Sequence, residues 1–337
     1  DCFIPSFNYR PAGSAQYALS LTNFTQEKPK RFRFGFIASS DNHRSRPGTG
    51  YKEKDRFVTT EANGPSNEAI AEVLYPKLLP VSESIDYGGR GGLINMGFRA
   101  FEVERQASFF TTGGLAAVHS LGRDRQSIWD SMKRKETYGT SGDRILLWFD
   151  LIHGGERVPM GGEISTTENP KFHVKAIGSL KQKSGCPDYS DTKISRRDIE
   201  RICKNECYNP SDERKVITRI EVIKISPQIH SGERVESLIE DPWKVFECPL
   251  DQNGCEVSFE DTSYSENQRD VSFYVRAIQE PSPSVNAKNI RCEYNSKGEC
   301  KKVNICYGDN RTPKDDDCLS MIEERAWSSP IYIDFSS

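Results

Sequence analysis

Val271-Ser-Phe-Tyr-Val-Arg-Ala-Ile278 reads as a β-strand, because an extended chain sends successive side chains to opposite faces and this stretch alternates accordingly. The same alternation returns in Phe172-His-Val-Lys-Ala176, Arg219-Ile-Glu-Val-Ile-Lys-Ile225, Glu256-Val-Ser-Phe259 and Pro330-Ile-Tyr-Ile-Asp-Phe335, with turn-rich linkers between. From residue 154 to residue 337 the chain therefore reads as all-β and sandwich-like. Working towards the amino end, Arg144–Ile152 is a strongly apolar strand and Leu115-Ala-Ala-Val-His119 a short one. Between them Asp124 is placed to cap a helix carrying Ile128, Trp129 and Met132 on one side, and Tyr138–Asp143 breaks it. This strand–helix–strand unit reads as α/β. Further upstream, Arg31-Phe-Arg-Phe-Gly-Phe-Ile-Ala-Ser-Ser40 is expected to be a strand and residues 14–29 a helix. Residues 47–114 read as a long Gly- and Ser-rich loop with short helices near 67–78 and 98–108. Two domains are expected, residues 1–153 and 154–337.

Composition sets the outer bounds. The 337 residues carry 46 Lys plus Arg against 49 Asp plus Glu, a net charge of −3, which argues against a general nucleic-acid binder. The longest strongly apolar run, Ile145–Ile152, is far below the roughly 20 residues of a membrane span. The sequence opens on Asp1 with no signal segment after it, so a processed or partial chain is expected.

Ten cysteines are present, nine of them between Cys186 and Cys318. No C-x-x-C pair occurs, which removes the usual zinc-ribbon and thioredoxin spacings. Cys248 and Cys255 flank an Asn-Gly turn, and Cys292 and Cys300 flank a Lys-Gly turn, so each pair suits a local disulfide. Cys203, Cys207, Cys306 and Cys318 complete the disulfide candidates, and such usage points to the periplasm or the cell exterior.

The sharpest chemical signal is Ser39-Ser-Asp-Asn-His43, at the end of the Phe-alternating strand. Residues i and i+2 of an extended chain point to one side, so Asp41 and His43 can aim an oxygen and an imidazole nitrogen at one divalent metal, with Zn, Mn and Fe all compatible. In Thr137-Tyr-Gly-Thr-Ser-Gly-Asp-Arg144, the two glycines let backbone N–H groups approach an anion. Tyr138, Thr140, Ser141 and Arg144 then offer hydroxyls and a guanidinium fork to a phosphate. His119, ending its strand, is a candidate substrate contact. No G-x-S-x-G, P-loop, dinucleotide fingerprint or H-E-x-x-H occurs.

Several of these stretches carry a family resemblance. Phe34-Gly-Phe-Ile-Ala-Ser-Ser-Asp-Asn-His43, Gly113-Gly-Leu-Ala-Ala-Val118, Arg134–Gly142, Phe273-Tyr-Val-Arg-Ala277 and Glu324-Arg-Ala-Trp-Ser-Ser-Pro-Ile331 follow one another in family order. The chain resembles a large bacterial domain-of-unknown-function family related to the PHP (polymerase and histidinol phosphatase) metal-dependent phosphoesterases. That resemblance implies the C-terminal part of a distorted β/α barrel over residues 1–153, with Asp41 and His43 in its metal set. It also implies hydrolysis of phosphate esters by a metal-activated water. Two departures stand out: no H-x-H exists among the five histidines, and Asp143 stands where the family usually has Pro. The first implies that an upstream segment or a second chain completes the barrel. The expected partner is a small phosphorylated substrate or an extracellular polymer. The competing expectation is a non-catalytic extracellular module that binds glycan or protein through its β-sandwich.

Overall fold

The computed structural model describes residues 14–38, 69, 114–188, 194–304, 306 and 312–336. The described residues are 43% strand and 15% helix, a ratio that no β/α barrel approaches. Two sheets face each other. The larger takes strands β3 (Leu115–Val118), β4 (Thr137–Thr140), β7 (Glu163–Ser165), β11 (Ile217–Ile225), β12 (Ile239–Glu247), β14 (Val271–Val285), β17 (Leu319–Ser328) and β18 (Ile331–Asp334). Their order is β12-β11-β14-β17-β4-β3, with β18 beside β14 and β7. The smaller sheet is ordered β13-β8-β5-β6, from Cys255–Glu260, Lys171–Ile177, Leu146–His153 and Glu156–Pro159. Three two-stranded pairs lie apart: β1 (Thr22–Asn23) with β2 (Lys30–Arg31), β9 (Leu180–Gln182) with β10 (Pro210–Arg214), and β15 (Cys292–Tyr294) with β16 (Cys300–Val303).

The alternation read from the sequence fills the space between the sheets. Leu147, Phe149 and Leu151 of β5 and Phe172, Val174 and Ala176 of β8 point at Phe273, Val275 and Ala277 of β14 and Ile220 and Val222 of β11, all fully buried. Phe172 anchors the stack, with ring centroids 5.5 Å from Phe149, 5.0 Å from Phe259 and 4.7 Å from Phe273. Buried aliphatic and aromatic side chains of this size contribute about 1.5–3 kcal/mol each, so this layer is the main source of stability.

A β-sandwich stands where a barrel was expected for residues 1–153. The strand–helix–strand unit shows why. Asp124 caps the helix α2 (Arg125–Lys133), its side chain accepting from the Ser127 N–H at 2.9 Å. The chain then reverses through Lys135 in the left-handed region (φ 62°) and returns as β4, antiparallel to β3. A β/α barrel needs parallel neighbours joined by crossovers. Among the described residues the one parallel pair is β18 with β7. Strands β3 and β4 share the larger sheet with β17, so residues on both sides of position 153 build one core.

A second, smaller cluster covers the opposite face of the larger sheet. Helix α1 (Ala15–Ser20), capped by Ser14 Oγ, brings Leu19 onto Ile223, Ile225, Tyr274 and Tyr332. Residues 32–38 then run extended over the same face without joining a ladder. Phe34 and Phe36 pack into this cluster beside Trp327, and Phe32 stays 58% exposed. The helix expected over 14–29 is thus one short helix; of the strand expected over 31–40, residues 32–38 are a strap held by side chains, and residues 39 and 40 lie outside the described residues.

Four disulfides staple the β-rich part: Cys186–Cys207, Cys248–Cys255, Cys292–Cys300 and Cys306–Cys318. Among the described residues Cys203 is not in a disulfide; it ends helix α3 (Arg196–Cys203), and Cys186, outside the expected set, takes Cys207 instead. These disulfides fit a secreted or extracellular protein, and no helix of the described residues is long and apolar enough to cross a membrane.

Candidate functional site

The structure gives the expected phosphate-loop residues work within the fold. Tyr138 is buried among core residues and its hydroxyl donates to the Ile145 carbonyl at 3.1 Å; burial pushes the phenol up to about 12. His119 Nε2 lies 2.8 Å from the Leu147 carbonyl, which makes that nitrogen the donor, and the ring packs between Tyr138 and Trp148. Ser141 is tied to β17, its N–H donating to the Arg325 carbonyl and its hydroxyl donating to Glu324 and accepting from the Arg325 N–H at 2.8 Å. Thr140 is buried, and its hydroxyl has no hydrogen-bond partner among the described residues. The Arg144 guanidinium is stacked 3.8 Å above the Tyr208 ring. His119 and Tyr138 therefore meet through their rings. Asp41 and His43 lie outside the described residues.

Asp143 turns out to organise its surroundings. Its Oδ2 accepts from Ser179 Oγ at 2.9 Å, from Lys215 Nζ at 2.9 Å and from Gln279 Nε2. The residue is 4% exposed, so this is a buried charge with its partners supplied.

Among the described residues one group gathers three ligand atoms within 4.8 Å of one another, Cys306, Asp316 and Cys318. Its two sulfurs are bonded to each other, so it does not offer a thiolate pair. A polar cleft lined by Lys224, Ser226, Ser237, Glu240, Asn267 and Arg269 is also present. Its cations are answered locally: Lys224 Nζ lies 2.6 Å from Asp261, and Arg269 is paired bidentately with Glu233.

The charged row that sequence reading missed lies on the strap-covered face of the larger sheet. Glu221 faces Arg276 across β11 and β14, and Arg276 faces Trp327 across β14 and β17; Arg325 follows two residues along β17. Arg219 is bidentate to Glu323 at 2.7 and 2.9 Å and also reaches Glu221. Arg276 reaches Glu221 at 2.8 Å and Asp241. The strap approaches this row in order. Arg31 and Arg33 bind Asp334, the Phe34 carbonyl accepts from Tyr332, and the Phe36 N–H donates to Ser329 Oγ. Ala38 then covers Gly139, where a Cβ would collide with it. Gly139 is the cross-strand neighbour of Trp327. No local sequence pattern marks the row, because its residues come from positions 219–221, 276 and 323–325 and meet only through register.

The family described as "Protein of unknown function (DUF3604)" matches residues 16–184. The chain belongs to that family. The DUF3604 match includes the strap, the strand–helix–strand unit and most of the smaller sheet, and nothing in it shows a PHP relationship. No curated protein and no solved structure matches the chain.

Proposed function

We propose that this DUF3604 chain is part of a periplasmic or secreted metal-dependent hydrolase of phosphate esters, with its β-sandwich as the scaffold. The observation that carries the reading is the fixed start of the Asp41-x-His43 segment. Phe34, Phe36 and Ala38 are seated on the larger sheet three to seven residues before Asp41, on a face that also presents arginines. A carboxylate and an imidazole at i and i+2 suit Zn, Mn or Fe. A metal bound there would lower the pKa of its water and supply the attacking hydroxide. The chain's own contribution is to anchor the strap and to set positive charge beside it.

The test is metal content and hydrolysis of p-nitrophenyl phosphate and its bis-ester by the protein as it occurs naturally. Asp41→Ala and His43→Ala should each lower metal occupancy and activity together. Full retention of both properties would remove these residues from the site. A non-catalytic extracellular module is favoured by one different observation: the hydroxyls of Tyr138 and Ser141 and the rings of His119 and Tyr138 are engaged inside the fold. That reading takes over if no ester is hydrolysed with any of the three metals.

A further inference from the structure

Three arginines and three carboxylates make up the outer-face row, but the carboxylate oxygens are shared unevenly among the arginines. Both Glu323 oxygens are taken by Arg219. One Glu221 oxygen accepts from Arg219, and the other lies 2.8 Å from Arg276 Nε as an ion pair without hydrogen-bond geometry. Asp241 gives both oxygens to Arg276 and shares one with Gln16. Five of the six carboxylate oxygens accept hydrogen bonds from two arginines and a glutamine, and the sixth is in ion-pair contact with Arg276. Arg325 is half-buried on the same face, and its guanidinium makes one long bond, from Nε to the Glu323 carbonyl at 3.4 Å. Its terminal nitrogens have no partner among the described residues. Burial, reinforced by the neighbouring Arg276, depresses its pKa below the ordinary arginine value. A partly desolvated guanidinium without an acceptor is costly unless an anion supplies one.

The strap gives the position meaning. It passes Asp334, Tyr332, Ser329 and Gly139 in turn, which is a path back along β18 and β17 towards Arg325. From Trp327, beside Gly139, Arg325 is two strand residues further in that direction, roughly 7 Å. We infer that Arg325 is an anion-binding residue of the outer face, whose two terminal nitrogens form a fork for the oxygens of a phosphoryl group. The choice of phosphate over carboxylate rests on the hydrolase reading; the fork itself suits either, but its planar pair of N–H groups matches tetrahedral oxyanions bidentately.

The experiment separates the two claims. Inorganic phosphate is titrated into the intact protein in the presence of a chelator, by calorimetry and by Trp327 fluorescence, with no turnover required. The wild-type protein should bind phosphate, Arg325→Gln should weaken binding by at least about tenfold, and Arg325→Lys should recover part of it. Arg325→Met, which keeps the apolar stem, checks that any loss is not unfolding; thermal midpoints should match the wild type. Binding that is equal in the wild type and Arg325→Gln, or absent from the wild type, overturns the inference. Arg325-dependent phosphate binding without hydrolysis of any ester would uphold it while removing the hydrolase reading.

Discussion

Asp143→Ala removes the acceptor that Ser179, Lys215 and Gln279 share. The largest part of the loss comes from Lys215, whose side chain is only 12% exposed and whose ammonium also donates to Ser282 Oγ at 3.1 Å. Breaking a buried pair from one side costs about 3–5 kcal/mol, because the remaining charge stays uncompensated. For a chain of this size that corresponds to a fall of roughly 4–7 °C in the thermal midpoint. Urea unfolding followed by tryptophan fluorescence under non-reducing conditions measures the same quantity. The double variant Asp143→Leu with Lys215→Met should regain most of the loss, since an apolar pair of similar volume leaves no orphaned charge. A single variant within about 1 kcal/mol of the wild type would refute the reasoning, as would a double variant no better than the single one.

Gly139→Ala should drive Ala38 off the sheet, seen as faster hydrogen exchange and proteolysis across residues 34–38 with the sandwich core unchanged. Non-reducing peptide mapping should recover Cys186 linked to Cys207, and iodoacetamide should label Cys203 without prior reduction. Opening Cys186–Cys207, which spans 21 residues, should cost about 3 kcal/mol in urea unfolding. Hydrogen bonds from Arg219 hold the Glu323 carboxyl below its ordinary range. A depressed folded-state pKa means stabilisation present above the unfolded value of about 4.3 and lost as pH falls through the folded one. Glu323→Gln should therefore flatten the decline in urea midpoint between about pH 5 and pH 3 relative to the wild type.

Much of the sandwich was legible because period-2 alternation is local. Phe172, Val174, Phe273 and Val275 announce their faces without help from distant residues, and Asp124 announces a helix start through its own carboxylate. Strand direction was not legible. Leu115–Val118 and Thr137–Thr140 flank a nine-residue helix, which suggests a parallel crossover, whereas the left-handed turn at Lys135 returns the chain antiparallel. The phosphate-loop reading met a similar obstacle, since glycines at 139 and 142 serve close packing and a turn as well as they would an anion. Cysteine pairing split along the same line. The turn-flanking pairs at 248/255 and 292/300 are local, but the Cys186–Cys207 pair depends on where α3 ends. The outer arginine row had no local signature at all, and emerges only when three strands come into register.

The position of β17 has a consequence for how the chain reaches this state. It lies between β14 and β4, pairing Ala326 with both Ala277 and Thr140. A ladder that joins residue 140 to residue 326 is a long-range closure, the kind that slows folding. Until Leu319–Ser328 has emerged, β4 and β14 present bare hydrogen-bonding edges, and the strap has no Trp327 or Tyr332 to settle on. A nascent chain ending before residue 319 is therefore an open, self-adhesive sheet, best kept unfolded until translation of this segment is finished. Export in an unfolded state, followed by oxidation of the four cysteine pairs, suits that order of events.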